Sequence, residues 1–288
     1  MDLGGNLDVR PSPIAGSWYP GDKTALTAEM QSFFDKIAPL KVDGEIVALV
    51  VPHAGHVYSG STAAHAFKAI EGMQFSRVVI LSPSHQFFPQ ALLTTSHQAY
   101  GTPLGAVRVD RQALDHLAEL LEPEHIPITP IHADQEHSLE IELPFLQFLM
   151  PQGFRLVPLM LREQSQHLVR PLAQALATLI KQFGPAEKTL LVASSDLSHF
   201  YPENQANQLD QNVLSAMRAY DVDELYALNR SGEGQACGLG PIAAVMLAAR
   251  ALGANHLTIT DYSTSAAVTH DRSSVVGYGS AVITRPLQ

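Results

Sequence analysis

At 288 residues the chain can bury an ample core as one large α/β domain. Its formal charge of −10, from 18 basic and 28 acidic residues without a dense Lys/Arg run, lacks the electrostatic footprint of a nucleic-acid binder. Cys237 is the only cysteine, which excludes an internal disulfide and suits a reducing compartment, and no run of about eighteen apolar residues marks a membrane span.

Residues 1–12 contain neither a basic nor an apolar targeting region and read as a flexible leader, ahead of a single domain over 13–288. A soluble, cytoplasmic protein without a nucleic-acid or membrane partner is expected. The only tryptophan, Trp18, precedes a helix in which Leu26, Met30, Phe33, Phe34 and Ile37 recur at helical spacing after a cap at Asp22. Residues 45–51 are an apolar, valine-rich run of the kind buried on both faces of a parallel sheet. Pro52 and Gly55 stop that strand, so His53 is delivered at its carboxyl end, the edge where open α/β sheets bind ligands. Ser59-Gly60-Ser61 offers capping hydroxyls to a helix carrying Ala63, Ala64, Phe67 and Ile70. A crossover then leads to a second buried strand, 77–81, which runs into Ser82-Pro83-Ser84-His85.

Shorter β-like pieces, 91–95 and 106–109, suggest a local antiparallel extension, and Asp110 can cap a helix bearing Leu114, Leu117, Leu120 and Leu121. A loop with Pro123, Pro127 and Pro130 brings the chain to Ile131-His132-Ala133-Asp134-Gln135-Glu136-His137-Ser138-Leu139-Glu140. Two histidines and three carboxylates in ten positions are dense for a chain with 16% charged residues. Either the stretch is the solvated start of the helix through Phe145 and Leu149, or His137 and Glu140, one turn apart, face a cleft as ligand-binding groups.

After a strand at 154–161 and a helix at 168–183, a third buried strand, 189–193, ends in Ser194-Ser195-Asp196-Leu197-Ser198-His199. Helices follow over 204–220 and 223–229. Four glycines between 232 and 240 then precede an apolar helix, 242–252, with Cys237 just ahead of its N-terminus. A cysteine there is either an inert buried residue or, through the helix dipole, one biased toward the thiolate. Strands at 257–262 and 275–283 close the chain.

Three buried strands thus end in histidines, and parallel neighbours would let those histidines converge. His53, His85 and Cys237 make a three-ligand set with open coordination positions, whose imidazole and thiolate donors suit iron, copper or zinc. His199 would serve beside it as general acid or base, with Asp196, one helical turn earlier, fixing its tautomer. A hydrolase built on Ser84, Ser194 or Ser195 ranks below this reading because the chain has no Gly-x-Ser-x-Gly elbow.

Gly16-Ser17-Trp18-Tyr19, Pro52-His53-Ala54-Gly55, Pro83-Ser84-His85, Glu136-His137-Ser138, Ser194-Ser195-Asp196-Leu197-Ser198-His199 and Cys237-Gly238 with Pro241-Ile242 resemble the Memo family, in order and across nearly the whole chain. In prokaryotes that family includes the proteins called AmmeMemoRadiSam system protein B. The resemblance implies an α/β/α fold like that of class III extradiol ring-cleaving dioxygenases, with a largely parallel or mixed sheet. It further implies metal ligation by His53, His85 and Cys237, with His199 at the dioxygenases' catalytic position. Cysteine replaces the carboxylate of those iron(II) enzymes, which makes the site softer and more open to copper or to oxidation. Animal members are described as signalling and motility effectors that bind iron or copper, and the system name implies AMMECR-type and radical SAM protein partners. A redox or dioxygenase-like metalloprotein acting on a small molecule is the first expectation; a non-catalytic protein holding a peptide or small ligand in the same cleft is the second.

Overall fold

The continuous apolar runs become the middle of one sheet. The computed structural model describes residues 7–39, 42–132 and 134–287. Its elements in chain order are β1 (Val9–Arg10), α1 (Lys23–Asp35), β2 (Glu45–Val51), α2 (His56–Lys68), β3 (Arg77–Pro83), β4 (Leu92–Thr95), β5 (Ala99–Thr102), β6 (Gly105–Arg108), α3 (Arg111–Leu121), β7 (Ile128–Ile131), α4 (Leu143–Leu149), β8 (Arg155–Leu161), α5 (Gln166–Phe183), β9 (Thr189–Ser194), β10 (His199–Tyr201), α6 (Glu203–Arg218), α7 (Val222–Ser231), α8 (Leu239–Ala251), β11 (His256–Thr264) and β12 (Val275–Arg285). Strands β2, β9, β3 and β8 are adjacent and parallel. On one flank β12 pairs antiparallel with β2, β10 and β11, and on the other β4 pairs antiparallel with β8 and parallel with β7.

Successive side chains of a strand point to opposite faces, and the two faces are covered by different helices. Val79, Leu81, Leu191, Ala193, Val157 and Leu159 pack with α5, α6, α7 and α8. Val78, Ile80, Leu190, Val192, Leu156 and Met160 pack with α1, α2 and α4. Each fully buried Val or Leu contributes about 1.5–3 kcal/mol, so strands with both faces covered can tolerate polar residues only at their ends. The result is the three-layer α/β/α domain with a mixed sheet that the sequence suggests.

Asp22 and Asp110 cap α1 and α3 as expected, accepting from the N–H groups of Ala25 and Ala113. Helix α2, however, begins at His56, a turn before Ser59-Gly60-Ser61, with Gly55 as its cap. The chain turns within Ala54-Gly55 straight after β2, and the Ser59 hydroxyl donates to the Ala54 carbonyl from inside the helix. The short β-pieces also pair differently. β6 forms a hairpin with β5, while β4 joins the main sheet.

The leader assignment is corrected from residue 8 onward; residues 1–6 lie outside the described residues. Val9 and Arg10 pair in parallel with Ala99 and Tyr100, completing a small sheet of β1, β5 and β6. Arg10 is only 1% exposed and donates to both carboxylate oxygens of Asp134, to Glu140 and to the Glu136 carbonyl. A two-residue strand has no periodicity to read, and this guanidinium is buried only because carboxylates more than 120 residues away surround it.

Candidate metal centre

Because β2, β9 and β3 are parallel neighbours, the residues that follow them emerge at one edge of the sheet. His53 and His85 each follow their strand by two residues, and their ring centroids are 5.2 Å apart. Cys237 arrives from the loop before α8, with Sγ 3.1 Å from His53 Nε2. One ligand atom from each of His53, His85 and Cys237 falls within 4.8 Å of the others. Gly238 permits this approach, since a Cβ there would lie 2.3 Å from the Ser194 carbonyl and 2.7 Å from Ser195 Cβ. The Gly238 N–H donates to Ser195 Oγ, and the Cys237 N–H to the Asp196 carbonyl, which fastens the loop to the end of β9.

Hydrogen bonding settles which imidazole nitrogens are bare. The single hydroxyl proton of Ser194 goes to the Ser138 carbonyl at 2.6 Å, so Ser194 Oγ accepts from His53 Nδ1–H at 2.8 Å. Nε2 of His53 is left with its lone pair, facing Cys237. His85 Nδ1 donates to the Glu136 carboxylate at 3.0 Å, which frees Nε2 of His85 in the same way. Holding a ligating histidine by its other nitrogen is the usual means of orienting it toward a metal. Two bare Nε2 atoms and a thiol therefore fit a metal ion with positions left open.

The electrostatics keep most of these donors neutral. Burial lowers the His53 pKa well below the ordinary histidine value, reinforced by His137 and His85. Burial likewise takes His137 down to about 4. Burial opposes charge on His85 too, but the hydrogen bond and charge of Glu136 outweigh it and raise the pKa. Glu136 is held well below the usual carboxylate range against its own burial, by His85 and by the Ser138 N–H among others. Burial, with Asp196 adding to it, pushes the Cys237 thiol up. The dipole-stabilised thiolate expected at the α8 N-terminus is thus not favoured by the protein alone; a bound cation would have to displace the thiol proton.

Of the other expected site residues, His137 is in the cleft, with ring centroids 4.7 Å from His85, 5.6 Å from His53 and 4.2 Å from Trp18. Glu140 is not. His137 lies outside the 3₁₀ turn Glu140–Glu142, and Glu140 points into the buried cluster of Arg10, Ser12 and Tyr19, whose hydroxyl donates to it at 2.6 Å. His199 lies beside the site, and its Nδ1 donates to the Leu197 carbonyl at 2.9 Å. Asp196 does not orient it, because residues 195–198 form a non-helical link between β9 and β10. Its carboxylate accepts the His53 N–H at 2.7 Å instead, and burial raises its pKa to about 7.

Sequence reasoning missed the roles of Glu136, Ser194 and Trp18. The carboxylate density of 131–140 was the available signal for the first; the motifs around Ser194 and Trp18 mark those residues without indicating these roles.

Comparison with known proteins agrees with the motif order. The family model described as Memo-like protein matches residues 10–282. This chain belongs to the Memo family. MEMO1 family proteins of Nitrosopumilus maritimus, Methanosarcina barkeri and Aquifex aeolicus are 34%, 32% and 33% identical to it. These alignments cover 94%, 96% and 94% of this chain and 98%, 100% and 98% of the respective relatives. The Memo match thus takes in Arg10 of β1 and the whole of the cleft, and no helix among the described residues is long and apolar enough to cross a membrane.

Proposed function

We propose that this Memo-family chain is a metalloprotein with a mononuclear iron or copper centre on His53, His85 and Cys237, and that it carries a redox or dioxygenase-like activity toward a small molecule. The observation behind this reading is the convergence of two bare imidazole nitrogens and one thiol within 4.8 Å. Iron or copper bound there would supply one-electron and oxygen chemistry, and zinc suits the same donors. The protein's own part is orientation and proton handling. Ser194 and Glu136 hold the two imidazoles, and His199, whose Nδ1 is committed to a carbonyl, keeps Nε2 available to take a proton from substrate. His137 and Trp18, their ring centroids 4.2 Å apart and their planes tilted by 40°, supply an aromatic wall at the cleft. The resemblance supports AMMECR-type and radical SAM proteins as partners, and a cytoplasmic location accords with a lone unpaired cysteine.

The test is metal content of protein purified without oxygen, compared with His53→Ala, His85→Ala and Cys237→Ala. Near-stoichiometric iron or copper in the wild type and its loss in all three variants is the expected result; metal that survives all three refutes the ligand set. The second reading, a non-catalytic ligand-binding protein, draws on Phe87 and Phe200, which are 81% and 75% exposed next to the His85 and His199 segments. Under it, Cys237→Ala would leave ligand binding intact. A serine hydrolase is disfavoured, since Ser194 is fully buried and its proton points to a carbonyl rather than to His53.

A further inference from the structure

Three residues that share nothing with the centre above meet elsewhere in the molecule. They are Asp8 just ahead of β1, His97 after β4 and His132 after β7. His97 Nε2 lies 2.9 Å from the His132 carbonyl oxygen, which can only accept, so Nε2 bears hydrogen. In a neutral ring the lone pair is then on Nδ1, and Nδ1 faces Asp8 Oδ1 at 2.9 Å. Two acceptors at that separation repel unless a proton or a metal cation lies between them. The exposed His132 ring supplies a third donor, its centroid 4.2 Å from that of His97 and its plane tilted by 56°. One ligand atom from each residue falls within 4.8 Å of the others.

The donors are also fixed in place. The Asp8 N–H donates to Gln98 Oε1, and the Gln98 and Ala99 N–H groups donate to the Asp8 carbonyl, so this carboxylate is pinned beside His97. The His97 N–H donates to Thr95 Oγ1. Arg111, the nearby cation, is occupied with the Thr95 and His97 carbonyls. A buried histidine whose far N–H is held by a backbone carbonyl, with a carboxylate and a second imidazole at its near nitrogen, has the arrangement of a ligated histidine.

We propose that Asp8, His97 and His132 form a second divalent-cation site of zinc type, with two imidazoles, one carboxylate and a position open to water. A cation there would tie residue 8 to the end of β7. It would thereby brace β1, whose Arg10 holds the 134–140 segment that carries Glu136 and His137.

The experiment is equilibrium dialysis of the untagged full chain against low-micromolar Zn²⁺ with elemental analysis. One bound zinc is expected to remain in the His53→Ala/Cys237→Ala double variant and to be lost when His132→Ala or Asp8→Asn is added, with at least a tenfold fall in affinity. His125→Ala, an exposed histidine outside the cluster, is expected to change nothing. No zinc in the double variant, or zinc undiminished by His132→Ala and Asp8→Asn, overturns the proposal. Should the double variant fail to fold by circular dichroism, wild type against His132→Ala decides alone, a difference of one equivalent supporting the site and no difference refuting it. Because the decisive residues belong to this cluster only, failure of the iron or copper reading would leave this result unaffected.

Discussion

A serine hydroxyl has one proton and two lone pairs, and at Ser194 the proton and one lone pair are committed. It gives its proton to the Ser138 carbonyl, accepts from His53 Nδ1, and lies 3.2 Å from Glu142 Oε1. Glu142 is fully buried, and burial raises its pKa well above the ordinary value, against the hydrogen bond with Ser194. Removal of the Ser194 hydroxyl frees the His53 ring to turn and to exchange tautomers. Ser194→Ala is therefore expected to weaken metal binding about 10–100-fold, the usual cost of losing an orienting partner, with the fold intact. Competition titration with a chromophoric chelator would measure it, and unchanged affinity would mean that Ser194 does not orient the ligand. His53 and His85 were legible because each follows an apolar run halted by a proline or a serine-proline pair. Ser194 was not legible as an orienting group, since its role depends on which carbonyl the fold places opposite it.

At the scale of elements, β1 matters more than its two residues suggest. Arg10 joins the Asp134 and Glu140 side chains in the interior, and Tyr19 and Ser12 close the cluster. Removing one partner of a buried ion pair leaves the other charges uncompensated, at a cost of about 3–5 kcal/mol. Arg10→Met is expected to lower stability by about that amount in urea titration. It should also loosen the 134–140 segment and, with it, the Glu136 hold on His85. A change below about 1 kcal/mol would show the network to be peripheral. The parallel strands and their helices could be read from apolar runs and caps, because those signals are local. Arg10 could not, because its partners are set by the packing of β1 on β5. Glu140 was misplaced for a related reason: spacing by one helical turn presumes that both residues share a helix, and His137 lies ahead of the 3₁₀ turn that begins at Glu140.

Across the whole molecule the candidate metal centre is assembled from distant parts of the chain, with His53, His85 and Cys237 following different elements. The unfolded chain does not hold these donors together, so a cation that binds the folded form adds its binding free energy to stability. At a metal concentration about 100 times Kd the gain is about 2.7 kcal/mol, and chelation should lower Tm by about 4–5 °C in a domain of this size. The pH dependence has a definite sign. Burial raises the Cys237 pKa, so the metal-free site holds a thiol and binding releases its proton. The stabilisation conferred by metal is thus expected to shrink as pH falls and to grow as pH rises, with affinity changing about tenfold per pH unit for one proton released. Thermal scans with and without chelator at pH 6.5, 7.5 and 8.5 would reveal this as a widening gap between the two curves. In Cys237→Ser, which presents no thiol, that widening should narrow to what proton release from His85, whose pKa Glu136 raises, contributes. A gap that stays constant with pH in the wild type would mean that the sulfur does not take part in binding.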